Sequence, residues 1–139
     1  MRWRFKLDIK SFLAVLGTAV VYYLGGIDIT LRALFVFMVL DYFTGVMRAA
    51  VYKEIDSCVG LKGIVKKVCL LILVAVATQV DLVIGTDVAR SVTILFLAAN
   101  EALSILENAS AIGAPVPDTL RRTLASWKAQ DASKDGVDN

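Results

Sequence analysis

The chain has 139 residues, of which 58% are apolar and 20% charged, with a formal net charge of +2 and no histidine; its mean hydropathy is +0.69. Two prolines, nine glycines and two cysteines exclude collagen-like, disordered and disulfide-scaffold classes. A soluble domain this small could not hide so much apolar surface, and without histidine there is no His-ligated zinc, His general base or Ser-His-Asp arrangement.

Read in chain order, the sequence predicts an all-α integral membrane protein. Trp3 and Phe5 alternate with Arg2, Arg4 and Lys6, the pattern of an interfacial anchor. Ser11 to Ile27 is uncharged between Lys10 and Asp28; as a helix that interval covers about 27 Å, close to the ~30 Å hydrocarbon core. No Ala-x-Ala-like site follows before Asp28, so this run reads as a retained span and not a cleaved signal. Its Ala14, Gly17, Thr18, Val21 and Gly25 form a small-residue face suited to close helix approach. Ala33 to Met47, between Arg32 and Arg48, is the second span. It places Asp41, Thr44, Gly45, Arg48 and Tyr52 on one face.

The stretch Ser57 to Lys67 is predicted as a loop. It lacks GxxxxGK[ST] and so offers no phosphate cradle. Asp56 or Ser57 caps the next helix, Gly60 and Gly63 permit a tight re-entry, and Lys62, Lys66 and Lys67 meet anionic lipid headgroups. Val68 to Thr86 is the third span, with Thr78, Asp81 and Gly85 continuing the line of Lys67. Cys58 and Cys69 lack CxxC spacing and read as small membrane-tolerated side chains. The fourth span, Ser91 to about Ile105, continues as a more polar helix. Asn100, Glu101, Ser104, Glu107 and Asn108 fall within a sector of about 120° on it.

Gly113, Pro115 and Pro117 then break the helix. Leu120, Leu124 and Trp127 follow at i, i+4 and i+7, with Arg121, Arg122 and Lys128 off the stripe. This predicts a short amphipathic helix over 118–130 lying on the cytoplasmic leaflet, with a disordered tail over 131–139. Residues 1–117 form a single transmembrane domain.

The basic residues test the orientation independently. Four precede the first span, one lies between the first and second, five between the second and third, one between the third and fourth, and four follow. The positive-inside rule places both termini and the middle loop in the cytoplasm, giving four crossings (alternatively three), N-in and C-in. Each central acid costs ~2.5–3.5 kcal/mol against lipid, so Asp41, Asp81 and Glu101 together cost on the order of 8–10 kcal/mol. Either one protomer closes on itself through buried Asp–Arg and Glu–Lys pairs, or copies gather to shelter the acids and line a wet path. The second reading is the one adopted from sequence, because a small bundle has little interior to spare.

Asp41-Tyr-Phe-Thr-Gly45, Ser57-x-x-Gly60-x-x-Gly63-x-x-Lys66-Lys67, Asp81, Asn100-Glu101-x-x-Ser104-Ile-Leu-Glu107-Asn108 and Gly113-x-Pro115-x-Pro117 resemble the toxin-secretion and phage-lysis holins of Gram-positive phages and clostridia. The similarity covers about residues 35 to 124. It implies a protein of the bacterial cytoplasmic (inner) membrane that self-assembles and opens lesions for an endolysin or toxin. The implied partners are further copies of the chain, membrane lipids and an antiholin of the same fold. The family has no enzymatic residues, and it is often drawn with three spans. No cofactor, metal, nucleic acid or small-molecule substrate is expected. Asp41, Arg48, Asp81, Asn100, Glu101, Ser104, Glu107 and Asn108 are the assembly or pore-lining candidates; Trp3, Lys62, Lys66, Lys67 and Trp127 are the lipid-interface candidates. The rival readings are a small ion-coupled transporter, or a membrane subunit of a larger complex, with Asp41 and Glu101 as proton or cation sites, and a non-opening antiholin of the same fold.

Overall fold

The computed structural model describes residues 8–54, 57–123 and 126, without the side chain of residue 59. Trp3, Asp56, Leu124, Trp127 and the tail over 131–139 lie outside the described residues. Those described form four helices and no strand: α1 Ile9–Tyr23, α2 Ile29–Val51, α3 Ser57–Ile84 and α4 Val88–Ala111. Residues 118–123 are also helical.

Three of these helices are long and apolar enough to cross a membrane: Ile29–Val51, Gly60–Ile84 and Val88–Ala111. α1 has 15 residues, about 22 Å of helix, which is short of the ~30 Å core. It ends early because Gly25 and Gly26 adopt φ of +80° and +88°. Their N–H groups reach back to the carbonyls of Tyr22 (3.1 Å) and Val21 (3.0 Å), the paired bonds of a Schellman stop. Asp28 then starts α2: its carboxylate accepts from the Leu31 N–H (2.8 Å) and the Thr30 hydroxyl (2.9 Å), the N-cap arrangement.

The stretch Ser57 to Lys67, expected as a loop, is the opening of α3. Gly60 and Gly63 lie in the helix against the ring of Tyr42 on α2, and they do not make a re-entrant turn. A ~30 Å core takes about 20 helical residues, so counting back from Ile84 brings its far edge to about residue 65. The apolar stretch Gly60–Ile84 has 25 residues and so exceeds that length.

α4 is the central element, packed most extensively on α2 and next on α3. α2 and α4 run parallel: Asp28 meets Arg90 where both begin, and the Tyr52 hydroxyl donates to the Ala111 carbonyl (2.7 Å) where both end. α3 runs antiparallel to them. The apolar core comes from Leu31, Leu34 and Met38 of α2, Leu70 and Val74 of α3, and Ile94, Leu97 and Ala98 of α4. Each set repeats at three- or four-residue intervals, which puts it on one helical stripe. α1 stands apart: none of its residues is buried, and it touches only α3 among the described helices. Of its small-residue face only the Gly25 end is closely approached, by Arg90 and Thr78, while nothing lies near Gly17.

Candidate functional site

The polar groups of the spans gather at two levels. At the first, the apolar stripes of α2, α3 and α4 give way to Asp41, Lys67 and Glu101, each one or two turns beyond the core residues of its own helix. Lys67 Nζ donates to Asp41 Oδ2 at 2.6 Å and also to Glu101 Oε2. All three side chains are largely sequestered, at 12%, 13% and 0% exposure respectively. Asn108 Nδ2 reaches Asp41 Oδ1 (3.4 Å) and Thr44 Oγ1 (3.3 Å), and the Ser104 hydroxyl lies beside the same Asp41 carboxylate. Glu101 Oε1 has no hydrogen-bond partner among the described residues; the Lys66 ammonium is 3.9 Å away and its side chain is 53% exposed.

This corrects two expectations. Lys67 is expected from sequence at the headgroups, but the helix continues through it, and its long stem carries the ammonium inward to the acids. The acids, in turn, do not need neighbouring copies for shelter, because one protomer supplies their counterion. Two carboxylates on one buried ammonium still leave an excess negative charge, and Lys66 sits at its edge.

At the second level, the turns after α1 and α3 meet. Asp81, 4% exposed, accepts from the Thr86 hydroxyl (2.6 Å) and from the backbone N–H groups of Ala89 (3.0 Å) and Arg90 (2.7 Å). It thereby caps α4 from the end of α3, a role that Asp87 at the N-cap position does not fill. A carboxylate there also favours the positive end of the helix dipole. The Arg90 side chain spends its donors on the turn after α1: Nε to the Leu24 carbonyl (2.8 Å), Nη2 to the Gly26 carbonyl (3.0 Å) and Nη1 to Asp28 Oδ2 (2.5 Å). Thr44, Asp28 and Arg90 were not candidates from sequence. The signal available was a lone cation and a helix-capping acid on the two short connections predicted for one side.

The remaining candidates scatter. Asn100 is half-buried, while Arg48, Glu107 and Lys62 are exposed. The polar sector of α4 is thus divided, with Glu101 and Asn108 turned inward and Glu107 outward.

The Arg90 guanidinium bonded to Asp28 holds its carboxyl well below the usual carboxylate range, against some desolvation; the Leu31 N–H and Thr30 hydroxyl act in the same direction as Arg90. A depressed folded-state value means that the charge stabilises above the ordinary value of 3.8 and that this stabilisation is lost as pH falls toward the depressed value. Asp28→Asn retains an acceptor for Leu31 but loses the charge. Its stability deficit is expected to be full at pH 7 and to shrink below about pH 4, as thermal unfolding in detergent would report.

The profile of the bacteriophage holin family matches residues 18–129. An uncharacterized protein of Listeria innocua is 38% identical over 94% of this chain and 91% of its own length. An uncharacterized 14.9 kDa protein of Clostridium perfringens is 41% identical over 84% of this chain and 89% of its own. A protein of Bacillus phage phi105 named "Probable holin" is 35% identical over 68% of this chain and 70% of its own. No solved structure matches the chain significantly. The matched region takes in the end of α1, all three long spans and both polar levels, and on that match the chain belongs to the bacteriophage holin family.

Proposed function

We propose that the chain is a holin: copies accumulate in the bacterial cytoplasmic membrane, associate, and open a lesion through which an endolysin or a toxin leaves the cell. The observation that carries this reading is the family match across all three long spans. In it α1 and its apolar flank make a fourth crossing, N-in and C-in, as the distribution of basic residues favours, and the helix beginning at 118 lies on the cytoplasmic leaflet.

The geometry supports association through surfaces other than the acid cluster. Phe12 and Leu16 of α1, Val39 and Phe43 of α2, Leu73 and Val83 of α3 are all exposed, and lipid or another copy must cover them. Arg48, Asn100 and Glu107 make no side-chain hydrogen bond within the described protomer, so they are the polar groups left for contacts between copies.

Induced expression should stop growth abruptly and release a co-expressed cytosolic hydrolase. Cells that stay energised and intact at high expression would refute the proposal. The buried Asp41–Lys67–Glu101 group is also what an ion-coupled transporter would need. Saturable ion flux in liposomes, without escape of a large dye, would favour that second reading.

A further inference from the structure

Lys66 and Lys67 are neighbours on α3 but about 100° apart around it, and they meet the same carboxylate differently. Lys67 is enclosed between the helices. Lys66 is exposed and only at ion-pair distance from Glu101 Oε1, an oxygen of a fully buried side chain that receives no hydrogen bond. With Ile84 set at the opposite interface, about 20 residues of helix bring the headgroup level to about residue 65, next to the backbone of both lysines. Glu101 is 13 residues into its helix, about 20 Å from the opposite end. Lys66 thus stands between a buried acid that lacks a donor and a layer rich in phosphate oxygens.

We propose that Lys66 is an exchangeable counterion, shared between Glu101 and the phosphate of an anionic phospholipid in the adjacent leaflet. While it faces Glu101, two ammonium groups serve two carboxylates. When the headgroup takes it, Asp41 and Glu101 share Lys67 alone, and an uncompensated charge remains where α2, α3 and α4 meet. Buried charge without a counterion is strongly unfavourable, so anionic lipid loosens the packing around Glu101. Among the described residues, the charged groups set against Glu101 are Lys66 and Lys67 alone; Asn108 and Ser104, which lie beside the partner acid Asp41, and Thr44, which bonds Asn108, are neutral and replace no lost charge. This proposal rests on the membrane placement of the chain and does not require pore formation.

The test is backbone hydrogen exchange of α4 around Glu101, using the full chain in nanodiscs of phosphatidylcholine with and without phosphatidylglycerol. Exchange is expected to be about tenfold faster with the anionic lipid. Lys66→Gln should exchange fast in both discs. Glu101→Gln should exchange slowly in both, since it has no charge to strand. Lys62→Gln removes an exposed lysine one turn away that makes no contact with Glu101, and it should keep the full lipid response. Inorganic phosphate added to neutral discs should change nothing. A lipid response that survives in Lys66→Gln or Glu101→Gln, that disappears in Lys62→Gln, or that free phosphate reproduces would overturn the assignment.

Discussion

Lys67→Met is expected to prevent accumulation of folded protein in the membrane. The substitution leaves Asp41 and Glu101, 13% and 0% exposed, facing each other without the ammonium that joins them. Removing one partner of a buried ion pair costs about 3–5 kcal/mol, a large part of the ~5–15 kcal/mol that typically separates folded from unfolded chains. The triple change Asp41→Asn, Lys67→Met and Glu101→Gln removes every charge at once. It should restore accumulation, because a buried ionic group replaced by neutral groups of similar shape is close to neutral for stability. Membrane levels and unfolding in mixed detergent read both variants. If Lys67→Met folded as well as the wild type, the cluster would not be holding the three helices.

Gly25→Ala should be the most damaging small substitution in the turn after α1. A left-handed backbone position costs a residue with a side chain about 1–2 kcal/mol, and Gly25 has φ +80°. A methyl group there would also sit 2.7 Å from Arg90 Nε and 3.1 Å from Thr78 Cγ2. Arg90 would have to shift and weaken its three bonds to the turn. Charged hydrogen bonds contribute about 1.5–3 kcal/mol each, so losing even one brings the total to about 3 kcal/mol. Gly26→Ala is the internal control: its φ is +88°, but nothing lies within 4 Å of the added methyl. It should cost only the backbone strain, about 1–2 kcal/mol. Equal losses for the two variants would mean that Arg90 does not occupy the turn.

The long helices were legible because apolar length and charge boundaries are local properties. Asp41, Asp81 and Glu101 stood out for the same reason, since a carboxylate in an apolar run is conspicuous wherever the chain goes. What they touch was not legible. Lys67 borders an apolar run and so looks like a side chain bound for the headgroups, yet its ammonium turns inward, and its partners are 26 and 34 residues away in sequence. That pairing depends on how three helices are set against one another. Asp81 belongs to a cap that exists only once the turn at 85–87 brings α4 back beside α3. α1 is shorter than its apolar run, because a count of uncharged residues takes no account of two glycines that stop the helix before that run ends.

The internal pairing also changes what assembly has to accomplish. Copies are not driven together by homeless carboxylates, since Lys67 answers two of the acids and the start of α4 answers the third. In the proposed holin reading, association falls instead to the outward faces, where α1 is almost bare and where Arg48, Asn100 and Glu107 remain unengaged in the described protomer.

The central claim is that one protomer supplies the counterion of its own buried acids. It is tested most directly by solid-state NMR of the chain at high dilution in bilayers, with the Lys67 Nζ nitrogen and the Asp41 carboxyl carbon isotopically labelled. The account predicts a strong dipolar coupling between them, as a 2.6 Å contact from nitrogen to oxygen requires, unchanged by dilution. A coupling that is absent, or that appears only when copies are crowded together, would contradict it.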